Sequence, residues 1–161
     1  MTSRIEWLGR AAGGEGVAER SFLLDRGSGA VPGVLWSPDT SARPPTVLLG
    51  HGGSGHKRCE RHLRMGHWLA SATGLAVVAI DGSYHGDRVQ SPMDPADYQQ
   101  VIVDEGIQSV TARMTEDWLE TVTGSNTAGA DGEETFVRRC PSRNDWHQGH
   151  VTASAGGHGR W

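Results

Sequence analysis

Cysteine is almost missing from this chain. Cys59 and Cys140 are the only thiols in 161 residues. They lie far apart without C-x-x-C spacing, which excludes a disulfide framework, and two free thiols are expected. Aromatic residues are few, at 6 %, and no basic stripe interleaves with them, so the surface that nucleic acid requires is absent. A net charge of −4 gives no pull toward polyanions or anionic lipid. No apolar run is long enough to span a bilayer, and residues 1–10 mix Arg, Glu and Trp without the apolar stretch of a secretory signal. The expectation is one cytoplasmic domain with neither nucleic acid nor membrane as partner. Leu and Ile are also missing from everything after Gly124.

What is present is concentrated before that point. Residues 21–25 and 31–37 are apolar stretches separated by the turn signal Arg26-Gly27-Ser28-Gly29 and are predicted to pair as an antiparallel hairpin. Pro32 and Gly33 interrupt the second, which suits an outer strand. Residues 46–49 form a continuous apolar run ending at Gly50-His51-Gly52-Gly53, and residues 75–80 form another ending at Asp81-Gly82. Runs without alternation imply burial on both faces. Between them, residues 59–72 carry Met65, Trp68, Leu69 and Ala72 at the spacing of one buried helical face, and Thr73-Gly74 supplies the stop. Strand, helix, strand with both strands apolar is a βαβ unit, and the fold class is α/β.

Asp94-Pro95 predicts a helix start, with Asp94 as N-cap, proline at the first helical position and Asp97 in the first turn. Ile107, Val110, Thr111, Met114, Trp118 and Val122 continue a helical period to about residue 123. Whether Gly106 divides this stretch is left open by the pattern. Beyond Gly124 the composition turns to Gly, Ser, Thr, Asn, Arg and His. Phe136, Val137, Trp146, Val151 and Trp161 show no period there, and too little apolar surface is available to offset ordering entropy. A division into a partial domain, residues 1–123, and a low-order C-terminal tail, residues 124–161, is expected.

Two motifs stand in succession: Val47-Leu48-Leu49-Gly50-His51-Gly52-Gly53-Ser54-Gly55-His56-Lys57, then Val77-Val78-Ala79-Ile80-Asp81-Gly82-Ser83-Tyr84-His85-Gly86-Asp87-Arg88. Together with Pro38 they resemble the N-terminal half of an α/β-hydrolase of the serine esterase and dienelactone-hydrolase kind, over roughly residues 17–123. The resemblance implies a partial α/β-hydrolase sheet: an N-terminal hairpin, then parallel strands with flanking helices. It implies small-molecule esters or lactones as substrates of full-length relatives, and no cofactor. It also implies that the loop after residues 46–49 lends backbone N–H groups to an oxyanion hole, with Gly53 the first choice of donor and Gly52 the second. Glycine suits that task because a chain without Cβ can turn sharply against a substrate oxygen. By the same resemblance His51, Asp81 and His85 are loop-shaping residues, and His51 is not a general base.

The fold's nucleophile elbow, G-x-S-x-G on a strand-to-helix corner, is not in the sequence. Gly52-Gly53-Ser54-Gly55 and Gly82-Ser83-Tyr84-His85-Gly86 come within a residue of it but follow the wrong strands. His147, His150 and His158 have no scaffold to bring them to a serine. No catalytic nucleophile, acid or base is identified, and the chain alone is expected to be inactive. A truncated relative or a reading frame lost near Gly124 would each give this pattern. The resemblance also places a further strand beside residues 46–49. Without it that run presents a bare apolar edge, which favours self-association, pairing with another chain as an interaction module, or complementation as a half-enzyme. A metal site is not supported: His62 and His67 are five apart, off one helical face, and Cys140, His147 and His150 do not match zinc spacings.

Overall fold

The computed structural model describes residues 4–14, 16–27, 29–40 and 44–124. Five strands and three helices are built from them: β1 (Arg4–Gly14), β2 (Val17–Asp25), β3 (Ala30–Pro38), β4 (Thr46–Leu48), α1 (Glu60–Thr73), β5 (Ala76–Ile80), α2 (Pro95–Glu105) and α3 (Ile107–Gly124). The expected low-order tail, with Cys140 and the three C-terminal histidines, lies outside the described residues except for Gly124, which ends α3.

The strands form one mixed sheet in the order β1-β2-β3-β5-β4. The predicted hairpin is present, β2 against β3 with Leu24 opposite Val31. The predicted βαβ unit is present too, since β4 and β5 are parallel and joined through α1. One strand is additional and one expectation fails. β1, antiparallel to β2, was not anticipated, although Arg4-Ile5-Glu6-Trp7 alternates with a period of two. β3 is a central strand, not an outer one. Both of its irregular residues are accommodated. Gly33 stands opposite Phe22, and the Phe22 ring fills the space where a Cβ would be, 2.1 Å from Cζ. Pro32 sits one residue past the last β3–β5 pair, Gly33 opposite Ile80, where its carbonyl accepts from the Asp81 N–H at 2.9 Å and the Asp81 carbonyl, which a proline cannot serve, accepts from Arg88 Nη1 at 3.3 Å.

Alternation along the strands divides the core in two. Ile5, Phe22, Leu24, Val31, Leu35, Ala76, Val78 and Ile80 face one side, joined by Trp118 of α3. Val17, Val34, Trp36, Val77 and Ala79 face the other, where Ala70, Leu63 and Leu69 of α1 cover them. The predicted α1 face is rotated. His62, Gly66 and Ala70 are buried, whereas Trp68 is 59 % exposed and Ala72 is exposed. Gly66 decides this: a Cβ there would lie 2.4 Å from Trp36 Cε3, so the helix docks through its glycine and turns Met65 and Trp68 outward. They line an open groove of about 1030 Å³ with Glu60, Arg61, Arg64 and Ser71.

The Asp94 cap is as predicted, its carboxylate accepting from the Ala96 N–H at 3.0 Å. Gly106, at φ 90°, does separate α2 from α3. On α3, Val110, Asp117 and Thr121 are buried and Ile107 is 69 % exposed, so the inward face includes a carboxylate and leaves out the first predicted apolar position.

A glycine loop held between two strand ends

Because β4 and β5 are parallel neighbours, their carboxyl ends place residues 50–59 beside residues 81–94, where α/β sheets gather their ligand loops. Imidazoles hold the two segments together. The backbone N–H of Gly82 donates to His51 Nε2 at 2.9 Å, so that nitrogen must be bare. The proton is then on Nδ1, which donates to the Gly52 carbonyl at 2.8 Å. Burial, and secondarily the neighbouring His85 and His62, hold the His51 ring below the usual histidine range against the opposing Gly52 carbonyl and Asp81 carboxylate. The His85 ring lies between two carbonyls, Nδ1 at 2.7 Å from Ser83 O and Nε2 at 2.7 Å from Gly53 O, donating to one of them when neutral and to both only as the imidazolium. It packs edge-on against Tyr98 of α2 at 4.4 Å between centroids. His62 of α1 is 2 % exposed. Burial lowers it also, outweighing the carbonyls of Gly50 and Lys57, and its Nδ1 has no hydrogen-bond partner among the described residues.

The peptide geometry of the loop follows from those anchors. The Gly52 carbonyl accepts from His51 and from the Gly55 N–H, at 3.0 Å. In a planar trans peptide the N–H points opposite to the carbonyl that precedes it. Tying the Gly52 oxygen inward therefore turns the Gly53 N–H outward. Among the described residues no acceptor meets the N–H of Gly53 or of Gly52, and both residues are exposed. Ser54 is exposed beside them. Ser83 is 3 % exposed, with its Oγ accepting from Arg113 Nε at 3.2 Å. Neither stands at a strand-to-helix corner.

Asp81 is fully buried and fully bonded. Oδ1 accepts from the Lys57 N–H at 2.8 Å. Oδ2 accepts from Lys57 Nζ at 2.6 Å and from the Asp87 N–H at 2.9 Å. Lys57 Nζ also holds the Asp87 carboxylate, keeping it below its ordinary range. The histidine-glycine pair after Asp81 has a packing reason: Gly86 has φ 54°, and a Cβ there would meet Asp81 Cγ at 2.3 Å. Asp81 thus fixes the far loop through its backbone while Lys57 fixes the glycine loop to Asp81.

Two clusters stand behind these loops. Tyr84, with φ 65°, donates to Glu105, and Arg113 binds Glu105, Tyr84 and Ser83. Arg113, and secondarily the Tyr84 hydroxyl, pull the Glu105 carboxyl down to about 2. Glu105 and Arg113 stand on different helices across Gly106, so no helical period links them. Asp117, 1 % exposed, binds Arg26 from the β2–β3 turn and Arg88 at 2.6 Å. Arg88 also donates to the Asp81 carbonyl at 3.3 Å. Here a signal existed: an aspartate in step with Val110, Met114 and Thr121 on the inward face of a helix.

No protein-family profile and no curated protein matches the chain. Among solved structures it is similar to a cold-adapted esterase from an Arctic intertidal metagenomic library. The PEG-bound form is 39 % identical over 52 % of this chain and 36 % of that one, with a TM-score of 0.48. The native form of that esterase is 34 % identical over 48 % and 31 %, with a TM-score of 0.39. It is also similar to acetyl xylan esterase 1 from Thermoanaerobacterium sp. JW/SL YS485, at 20 % identity over 58 % and 28 % and a TM-score of 0.45. These structural neighbours are esterases at partial coverage, and the chain spans about a third of their length. No helix among the described residues is long and apolar enough to cross a membrane, and none of their His, Cys, Asp and Glu side chains group as a metal site.

Proposed function

We propose that the chain is the N-terminal part of an α/β-hydrolase of the ester- or lactone-cleaving, dienelactone-hydrolase-like kind. In this reading Gly53, and secondarily Gly52, present backbone N–H groups to the oxyanion of an acyl-transfer intermediate, while His51, Asp81 and His85 shape the loop. The observation that carries it is the outward Gly53 N–H, fixed by two donors on the Gly52 carbonyl. Donors set in advance where charge will develop are what an oxyanion hole supplies. No covalent step is assigned to this chain, because its sequence contains no elbow.

The purified chain incubated with an activated carboxylic ester is expected to give no turnover above background. Turnover that disappears on Gly53→Pro or Ser54→Ala would overturn the reading of an inactive chain. A second reading, an interaction module that pairs through β4, is favoured by one observation: β4 has a single strand partner among the described residues, and Leu48 on it is 46 % exposed. Co-purification with a defined partner that is lost on Leu48→Lys would support it.

A further inference from the structure

Three histidines converge on one short loop. His51 joins the Gly52 carbonyl to the Gly82 N–H, His85 reaches the Gly53 carbonyl from the far segment, and the buried ring of His62 stands beside His51 from α1. Their rings are close, His51 to His85 at 5.0 Å and His51 to His62 at 6.3 Å between centroids. We propose that residues 50–57 form a pH-responsive element, clamped to Gly82 by the His51 ring and released there when that ring takes up a proton. This deepens the oxyanion reading as regulation of the same loop.

The step is a single protonation. His51 Nε2 now accepts from Gly82, so a proton added there sets N–H against N–H, and the ring must leave Gly82. The ring is also bonded to the Gly52 carbonyl, and turning that carbonyl turns the Gly53 N–H with it. The surroundings oppose charge on His51 from several elements. On α1 stands His62, itself flanked by Arg61 and His56. From the far segment comes His85, backed by the Tyr98 ring of α2. The Asp81 carboxylate favours charge but is already held by Lys57, and Asp117 of α3, which borders the same small void as His51, is held by Arg26 and Arg88. Lowered His51 protonation by burial agrees with this geometry.

The test follows backbone amide exchange and histidine ring nitrogen shifts by NMR on the intact chain, from about pH 8 to about pH 5, across the ordinary histidine range. The expected result is the Nδ1–H form of His51 at the upper end. On acidification the slow-exchanging Gly82 amide should be lost and the Gly53 amide should shift, with one midpoint, while the Val77 and Ala79 amides stay protected. A Gly82 amide still protected at the acid end would overturn the proposal. So would loss of Val77 and Ala79 together with Gly82, which is global unfolding. His51→Gln can donate and accept without titrating, so it is expected to keep Gly82 protected throughout, and the same midpoint in that variant would also overturn it. The wild-type result decides if this variant does not fold. Because nothing here measures ester turnover, this idea and the oxyanion reading fail separately.

Discussion

Gly86 is a position where one added methyl group meets both steric and backbone resistance. A Cβ would press on the buried, fully bonded Asp81 carboxylate from a backbone at φ 54°, so steric and conformational costs add. Gly86→Ala is expected to destabilise by about 3 kcal/mol, read as a lowered denaturant midpoint. Lys57→Met strands the Asp81 charge, and breaking a buried pair from one side costs about 3–5 kcal/mol. The same urea titration checks it, and a loss under about 1 kcal/mol would mean that water reaches Asp81. The histidines set the pH dependence. His51 and His62 are held below 6.5 by burial, so the unfolded chain binds their protons more readily. The stability they contribute is complete above about pH 6.5 and is lost as pH falls through that value toward the lower folded values. Asp87 and Glu105 are lowered carboxylates, so their contribution lasts to more acid conditions and is lost only below about pH 4. Thermal melts should therefore show a flat midpoint above neutrality and a first decline in the histidine window.

At the scale of elements, α1 shows how one glycine redirects a helix. Met65, Trp68, Leu69 and Ala72 have the periodicity of a buried face, yet the helix docks on Trp36 through Gly66. Gly66→Val is expected to cost about 3 kcal/mol by forcing α1 off the sheet, whereas Trp68→Gln, at an exposed site, should stay within about 0.5 kcal/mol. Denaturant midpoints of the two variants would separate the faces, and the reverse ranking would restore the predicted one. β3 makes a similar point. Proline and glycine argue for an outer strand only when their neighbours are unknown, because Phe22 fills the space above Gly33 and β5 ends before Pro32. α2 was legible from its own residues, since Asp94 and Pro95 act within one turn.

At the scale of the molecule, the sheet is lopsided. β2, β3 and β5 carry buried residues on both faces, while β4 at the margin has one strand partner among the described residues and leaves Leu48 exposed. A sheet edge with apolar side chains recruits further strands, so the chain is expected to self-associate with concentration, and Leu48→Lys to reduce this without lowering the melting midpoint. Sedimentation velocity over a range of concentrations checks it. The α/β class, the β2–β3 hairpin, the parallel β4–α1–β5 unit and the glycine loop were written in the sequence by itself, because apolar runs, turn residues and caps act over a few neighbouring residues. The placement of β3 between β2 and β5, the face of α1 that is buried, the Arg26–Asp117–Arg88 and Tyr84–Glu105–Arg113 clusters, and the imidazole bonds that orient the Gly53 N–H were decided only in three dimensions. Each depends on groups distant in sequence meeting at hydrogen-bond or van der Waals range, and no local pattern encodes such a distance.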